Sequence, residues 1–470
     1  MKSESGHLAR TLTVVEYFTF GFGTMVGVGW VVLIDDWLSR GGPGGAMLGF
    51  LLGGILLLPV ALTYGKLVRQ IPDAGGEIAY AEGVFPRSVS FVAAWTMVLA
   101  YAIVCPWEAV AIGNLLARVF PSMNSFPLYA LAGKTIFAPR LAAGLLLTAV
   151  LAAVNFRGIR VSGLFQDVAT FGLLAIFVSF TALGFLKGDA SNWQPLFARP
   201  GAGGVWLSIL LVLQVVPYFM TGFESVGKES EEARPGFDAR HFGRAILLAC
   251  VVGFLFYTTI VAVASFVYPW KDLVARHLGT EAAFEKAFGS KLLARAIVFA
   301  AFLSLLKIFN GNFVASTRLL FGIGRRGLVH PALARVHPLH GTPRNAILLM
   351  AIFTGVSAFL GDALLVPVSE VGSLAVGVGW LSACAAYLAR SRRLGASASP
   401  LDRGLALSGA AVSAAIIAMK VLPSVPGSFT RAEWIAFAVW TALGSLFWLG
   451  RKPGSGPRRY SSTGSSVISG

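Results

Sequence analysis

Charged side chains are scarce in this 470-residue chain. Asp, Glu, Lys and Arg make up 13% of it against 56% hydrophobic residues, and a mean hydropathy of +0.73 excludes a soluble domain of this length. Cysteine is nearly missing. Cys105, Cys250 and Cys384 fall in apolar runs without CxxC pairing, so they read as inert packing residues rather than a disulfide or thiolate site. The six histidines, His7, His241, His277, His330, His337 and His340, lie at the N-terminus or between apolar runs, which leaves no intramembrane metal cluster to assemble. There is no Asp-rich repeat to hold magnesium and pyrophosphate, and no set of channel filter loops. The glycines from Gly21 to Gly29 lack the preceding strand and the lysine of a P-loop. An enzyme is therefore not expected, and no cofactor or metal is implied. Nor does the first apolar run carry a small-residue cleavage site, so it reads as a retained span.

What is present is a polytopic membrane protein. Apolar stretches of about 20 residues number twelve, starting near Thr13, Gly44, Ser88, Arg140, Ser162, Val205, Phe242, Leu292, Arg344, Val366, Gly404 and Thr430. An even number puts both ends on one side. With the N-terminus cytoplasmic, the inner segments hold 24 Lys and Arg residues and the outer ones 13, so the positive-inside rule places both termini in the cytoplasm. The net charge of +16 is read as topology in the cytoplasmic membrane, with the lipid bilayer and no nucleic acid as partner. Gly41-Gly42-Pro43-Gly44-Gly45 predicts a tight outer turn, and helical periodicity between Lys271 and Lys291 predicts a surface helix. Residues 453–470, rich in Ser and Gly, read as a disordered cytoplasmic tail.

Two apolar runs are interrupted. The first reads Phe20-Gly21-Phe22-Gly23-Thr24-Met25-Val26-Gly27-Val28-Gly29-Trp30; the second, Gln214 to Ser225, carries Pro217, Gly222 and Glu224. Each interior glycine costs about 1 kcal/mol relative to alanine, and exposed backbone in lipid finds no water. Such backbone is expected to line a cavity, and two distant breaks suggest a transporter site between two halves. The plainer alternative is that the glycines only let helices pack. At Gly27-Val28-Gly29, flanked by Val26 and Trp30, freed N–H groups offer donors to a substrate carboxylate. Trp30, Trp107 and Tyr218 can wall a substrate side chain or ammonium, or can simply be core.

Two further charges stand deep inside spans. Glu108 lies about twenty residues into the third, where a lone acid is a functional hypothesis by default. It either pairs with a substrate ammonium or, on a tilted helix, sits in an outer vestibule bonded to a neighbour. Lys307, a lone cation in the eighth span, must be paired, hydrated or neutral. Glu229, Glu231 and Glu232 are expected at the cytoplasmic face with Arg234 and Arg244 as partners.

Ordered landmarks then carry a family resemblance: Pro72-Asp73-Ala74-Gly75-Gly76-Glu77-Ile78-Ala79-Tyr80, Asn155-Phe156-Arg157-Gly158, Gly222-Phe223-Glu224, Asn310-Gly311 with Ser316-Thr317-Arg318 and Gly327-Leu328, and Thr342-Pro343 with Asn345-Ala346. The chain resembles the amino acid-polyamine-organocation (APC) superfamily of transporters. That resemblance implies an all-α LeuT-like fold in which twelve helices form one transporter domain over 1–452. Inverted repeats of five helices each would span 13–187 and 205–390, helices 1 and 6 would be broken, and two extra helices over 404–450 would suit a scaffold or oligomer contact. The candidate substrate contacts are Val26 to Trp30, Glu108, Tyr218 and Gly222; the resemblance itself points to Gly27-Val28-Gly29, puts span 3 with Glu108 beside the substrate, and gives Glu224 a part in coupling binding to gating. Capping of broken backbone is that acid's alternative role.

In sodium-coupled relatives of this fold, spans 1, 5 and 8 surround a cation site, which some sodium-independent members fill with a lysine in a Gln-x-x-x-Thr-x-x-Lys pattern. Here Gln166 and Thr170 fit, but Leu173 takes the lysine position. Lys307 is therefore expected to replace sodium from span 8 and, since a buried amine can release its proton reversibly, to act as the proton-coupling group. A structural lysine held by Glu16, Asp167 or carbonyls is the alternative. The function implied is a proton-coupled, sodium-independent permease for an amino acid or related amine. An exchanger for cationic amino acids or polyamines, and a sensor or accessory protein on the same fold, stand as alternatives.

Overall fold

The computed structural model describes residues 8–393 and 398–451; the expected disordered tail lies outside them. Among these residues, eleven helices are long and apolar enough to cross a membrane. In chain order, span 1 is Val14–Met25 continued by Gly29–Val32, span 2 is Ile34–Gln70, and span 3 is Arg87–Ala102 continued by Val104–Val119. Spans 4 and 5 are Ala138–Phe156 and Ile159–Lys187. Span 6 is Gly201–Leu213 followed by Val216–Phe219 and a 3-10 turn at Phe223–Gly227. Spans 7 and 8 are Arg240–Val267 and Lys291–Arg325, span 10 is Leu365–Arg393, and spans 11 and 12 are Pro400–Val421 and Arg431–Leu449.

The expected ninth span, Arg344–Ala358, has 15 residues, about 22 Å at 1.5 Å per residue. It falls short of a hydrocarbon core of about 30 Å. The chain leaves it at Gly361, whose φ of +54° starts a 3-10 turn. The twelve expected spans are thus eleven long helices and one short one. The outer turn expected at Gly41 to Gly45 is present: Gly42, at φ +66°, breaks the helical geometry and divides Ile34–Gln70 into two helices across a kink. One further expectation shifts. The surface helix after span 7 is a pair, Trp270–Ala275 and Thr280–Phe288, anchored by buried Trp270, Leu273, Ala283 and Phe284. The all-α expectation also needs one amendment. Pro127–Leu131 pairs antiparallel with Lys134–Phe137 in an exposed hairpin before span 4.

Local chemistry sets the helix starts. Thr13 with Glu16 and Thr430 with Glu433 form capping boxes, the carboxylates accepting from the Thr13 and Thr430 amides at 2.7 and 2.8 Å. Pro86, Pro200 and Pro343 immediately precede helices, where a missing N–H costs nothing. Spans 1 and 3 are the most enclosed, while spans 4, 5, 11 and 12 turn most of their residues outward. An apolar exterior around a core of broken helices is what lipid as solvent demands.

Candidate functional site

The breaks of spans 1 and 6 touch each other. Gly222 takes φ +139°, and a Cβ on it would lie 2.6 Å from the Met25 amide nitrogen. Broken backbone in lipid must find partners, and nearly every carbonyl freed in span 1 is met by a side chain. Asn312 donates to the Thr24 carbonyl at 3.0 Å and Tyr257 to that of Met25 at 3.1 Å, while Gln166 reaches the Thr19 carbonyl within the helix at 3.3 Å. Ser304 donates to Val26 at 3.1 Å and to Gly27 at 2.7 Å. Lys307 donates to the Gly23 carbonyl at 3.4 Å and to that of Val26, with its ammonium 5.0 Å from the Phe22 ring centre. Of the holders considered for Lys307, the carbonyls are the ones found. Glu16 caps the start of span 1 and Asp167 accepts from Thr19.

A small cavity opens beside this crossing, with Gly27, Gly29, Trp107, Glu108, Tyr218 and Asn312 among its lining residues. Glu108 is buried, and its Oε1 lies 3.0 Å from where a Cβ on Gly27 would sit. Its Oε2, Thr24 Oγ1 and Asn312 Oδ1 are buried without a hydrogen-bond partner among the described residues, and all three residues line the cavity. Three oxygen acceptors without donors describe a place for a donor-rich group.

Some expected lining residues lie elsewhere. Trp30 faces away from the cavity, stacked on Phe180 at 5.5 Å and 10° and edge-on to Phe256, because the short helix after the break turns it into the core. Val26 and Val28 are buried core residues outside the lining. Gly222 serves the contact between the two breaks rather than the cavity. Glu224 also lies outside the lining; it accepts from Tyr101 at 2.8 Å and from the Gly222 amide at 3.1 Å, tying the break of span 6 to span 3.

Toward the end of the bundle that carries Leu12 and Arg325, buried ion pairs seal the site in layers. Lys228 binds Glu77 at 2.6 Å, Tyr64 donates to the same carboxylate at 2.6 Å, and Lys228 also donates to the Glu224 carbonyl at 3.2 Å. Below it Arg318 grips both oxygens of Glu232 at 2.9 and 3.1 Å. Outermost, Asp73 joins Arg325 at 3.0 Å and Arg326 at 2.8 Å, and Arg325 also pairs with Glu231. The expected partners Arg234 and Arg244 are therefore replaced by Arg318 and Arg325, which the long eighth span brings under the break of span 6. Burial opposes ionisation of Asp73, but Arg326 and Arg325 hold its carboxyl below the ordinary range. At the opposite end Thr280 donates to the Trp30 carbonyl at 2.7 Å, so the pair of short helices after span 7 caps the other side.

Glu229 stands apart within this seal: both carboxylate oxygens are buried without a hydrogen-bond partner among the described residues. Burial, then the neighbouring Glu232, push its carboxyl well above the ordinary range, against the pull of Arg318 and Lys228. A raised folded value means that the native state binds the proton more tightly. Stability at this residue is therefore full at low pH and falls as pH rises from about 4.3, the unfolded value, through the folded one. Glu229→Gln should melt about 1–3 °C above wild type at pH 8, with the gap closing toward pH 4.5 in a thermal series in detergent. A gap independent of pH would mean that the carboxyl is not protonated in the fold.

The amino acid permease family model matches residues 17–452. The chain belongs to the amino acid permease family. It is 26% identical over 458 residues to the methylthioribose transporter of Bacillus subtilis (strain 168), covering 95% of this chain and 94% of that protein. It is 25% identical to the branched-chain amino acid permease BcaP of the same organism over 386 residues, 80% of this chain and 79% of the relative. It is 27% identical to the chloroplastic cationic amino acid transporter 9 of Arabidopsis thaliana over 352 residues, 72% of this chain and 59% of that one. The family and these relatives are transporters, not enzymes, so this permease is a multi-pass membrane protein with a small-molecule substrate. Sequence reasoning missed Tyr257, Ser304 and Asn312. The signal available was a line of polar residues, Ser304, Lys307 and Asn312, in an otherwise apolar span.

Proposed function

We propose that this permease carries an amino acid or related amine across the cytoplasmic membrane by alternating access, coupled to protons and independent of sodium. Residues 1–452 act as one transport domain, with 13–187 and 205–390 as inverted repeats, 404–450 outside them and both termini cytoplasmic. The observation that carries the reading is the cavity at the crossing of the two breaks, where Glu108, Thr24 and Asn312 offer acceptors to an ammonium and Gly27 and Gly29 bring backbone to the other side. Lys307 reaches from span 8 to the Gly23 and Val26 carbonyls of span 1, which supports transport without sodium. Glu224, bonded to the broken backbone rather than facing the cavity, links occupancy to the seal beneath it.

A second reading comes from the relative that covers nearly the whole chain, the methylthioribose transporter. Sugar hydroxyls can donate to the same three acceptors. A thermal-shift screen followed by radiolabelled uptake in proteoliposomes, across neutral and cationic amino acids, polyamines and methylthioribose, separates the two. An amino acid that stabilises the protein and is taken up supports the proposal; flux of methylthioribose alone supports the second reading. Uptake that requires a partner substrate inside the vesicle assigns exchange. Binding without flux under any gradient makes the chain a sensor or accessory protein.

The close approach at Gly27 gives a direct test of the cavity. A methyl group there would sit 2.6 Å from Ile308 Cδ1 and 3.0 Å from Glu108 Oε1, inside contact distance of both. Gly27→Ala should weaken substrate binding by at least about tenfold, ~1.4 kcal/mol, in a monodisperse sample. At Gly29 the added methyl meets the Phe219 ring at 2.8 Å instead, so Gly29→Ala reshapes the cavity wall and should also abolish measurable binding. Wild-type affinity in both variants would move the substrate away from these residues.

A further inference from the structure

A groove of about 660 Å³ lies between spans 4 and 9, remote from the substrate cavity. Its wall is apolar, built from Ala152, Phe156, Ile347, Leu348 and Ala351, and two arginines, Arg157 and Arg344, stand at its end. Both are exposed. The neighbouring arginines of the seal, Arg318, Arg325 and Arg326, are all matched by carboxylates. Among the described residues no acidic side chain pairs with Arg157 or Arg344, and the one side-chain bond of Arg344 goes to the amide oxygen of Asn345 at 3.3 Å. Two permanent cations thus border an apolar trench, at the basic end of a membrane protein. Above them Leu348, Ile352 and Val356 are 59%, 54% and 67% exposed, forming an outward apolar track up the same helix.

The short ninth helix supplies a second reason for a ligand here. A helix of about 22 Å in a core of about 30 Å leaves its end below the mean headgroup plane. The bilayer must thin there, or charged groups must meet headgroups drawn inward. Guanidiniums in a forked arrangement suit phosphate oxygens, and basic pockets between helices at the cytoplasmic side suit anionic headgroups.

We propose that this groove binds an anionic phospholipid of the cytoplasmic leaflet, its phosphate held between Arg157 and Arg344 and one acyl chain lying along Leu348, Ile352 and Val356. The lipid would fasten span 4 to span 9, whose packing is otherwise closed at this end by the hydrogen bond from Thr342 to the Phe156 carbonyl at 3.2 Å.

Native mass spectrometry of the delipidated full chain, titrated with phosphatidylglycerol or with phosphatidylcholine of identical acyl chains, tests this. Phosphatidylglycerol adducts should form on the order of tenfold more readily, given two basic contacts, and Arg157→Gln with Arg344→Gln should lower them to the phosphatidylcholine level. Both arginines are exposed, and a monodisperse elution profile checks the fold of the double variant. Equal retention of the two lipids, or undiminished phosphatidylglycerol adducts in the double variant, would overturn the proposal. So would full displacement by millimolar inorganic phosphate, which would make the ligand a free anion.

Discussion

Lys307→Ala should uncouple uptake from the proton gradient. The ammonium of Lys307 sits on the carbonyls of Gly23 and Val26 at the break of span 1. If it leaves those carbonyls when it gives up its proton, the state of the break follows the proton. An inward gradient of one pH unit supplies about 1.4 kcal/mol, enough for about tenfold accumulation at one proton per substrate. Wild-type vesicles should approach that ratio, and the alanine variant should only equilibrate. Because alanine leaves the Gly23 carbonyl without its donor, at about 1–3 kcal/mol, while that of Val26 keeps Ser304, lost stability must be separated from lost coupling. Lys307→Arg keeps a fixed charge and the donors but cannot release a proton. It should remain folded, bind substrate and equally fail to accumulate it. Proton-driven accumulation in either variant would return Lys307 to a purely structural role.

Glu224→Gln should lower flux by at least about tenfold while changing substrate affinity less than about twofold, a split of about 1 kcal/mol or more between the two readouts. The acid does not line the cavity. It accepts from the Gly222 amide and from Tyr101, and its own carbonyl accepts from Lys228, which holds Glu77. Span 6 can therefore open toward the basic end only by rearranging this chain of contacts. Glutamine keeps the acceptor for Tyr101 but removes the ionisable carboxyl next to Lys228. Equilibrium binding and initial uptake rates, measured on one preparation, check the split; equal losses in both would put Glu224 in contact with substrate.

Much of this was readable from the chain because lipid makes exceptions conspicuous. Glu108 and Lys307 stand out as single charges in long apolar runs, and the breaks show as glycines where a helix needs none. What could not be read depends on who faces whom. Glu77 and Lys228, 151 residues apart, look like loop charges in sequence yet are both fully buried against each other. Ser304, Tyr257 and Asn312 are ordinary residues for a span, and only the fold shows that their partners are carbonyls, which carry no sequence signature. Trp30 was placed in the cavity because it follows the break, but a short helix can turn its side chains to either side, and here the ring stacks on Phe180. Proximity in sequence points Glu231 and Glu232 to Arg234 and Arg244, whereas the long eighth helix delivers Arg325 and Arg318 from below. The ninth span kept its apolar composition but not its length, since the glycine that ends it acts through backbone conformation.

The central claim, an amino acid or amine carried by a proton-coupled permease in which a lysine replaces sodium, is tested most directly by uptake into wild-type proteoliposomes under three imposed conditions. These are an inward proton gradient without sodium, an inward sodium gradient at equal pH, and neither. Accumulation above equilibrium under the first condition, with the second no better than the third, is the predicted result. Accumulation that requires sodium, with no response to the proton gradient, would contradict it.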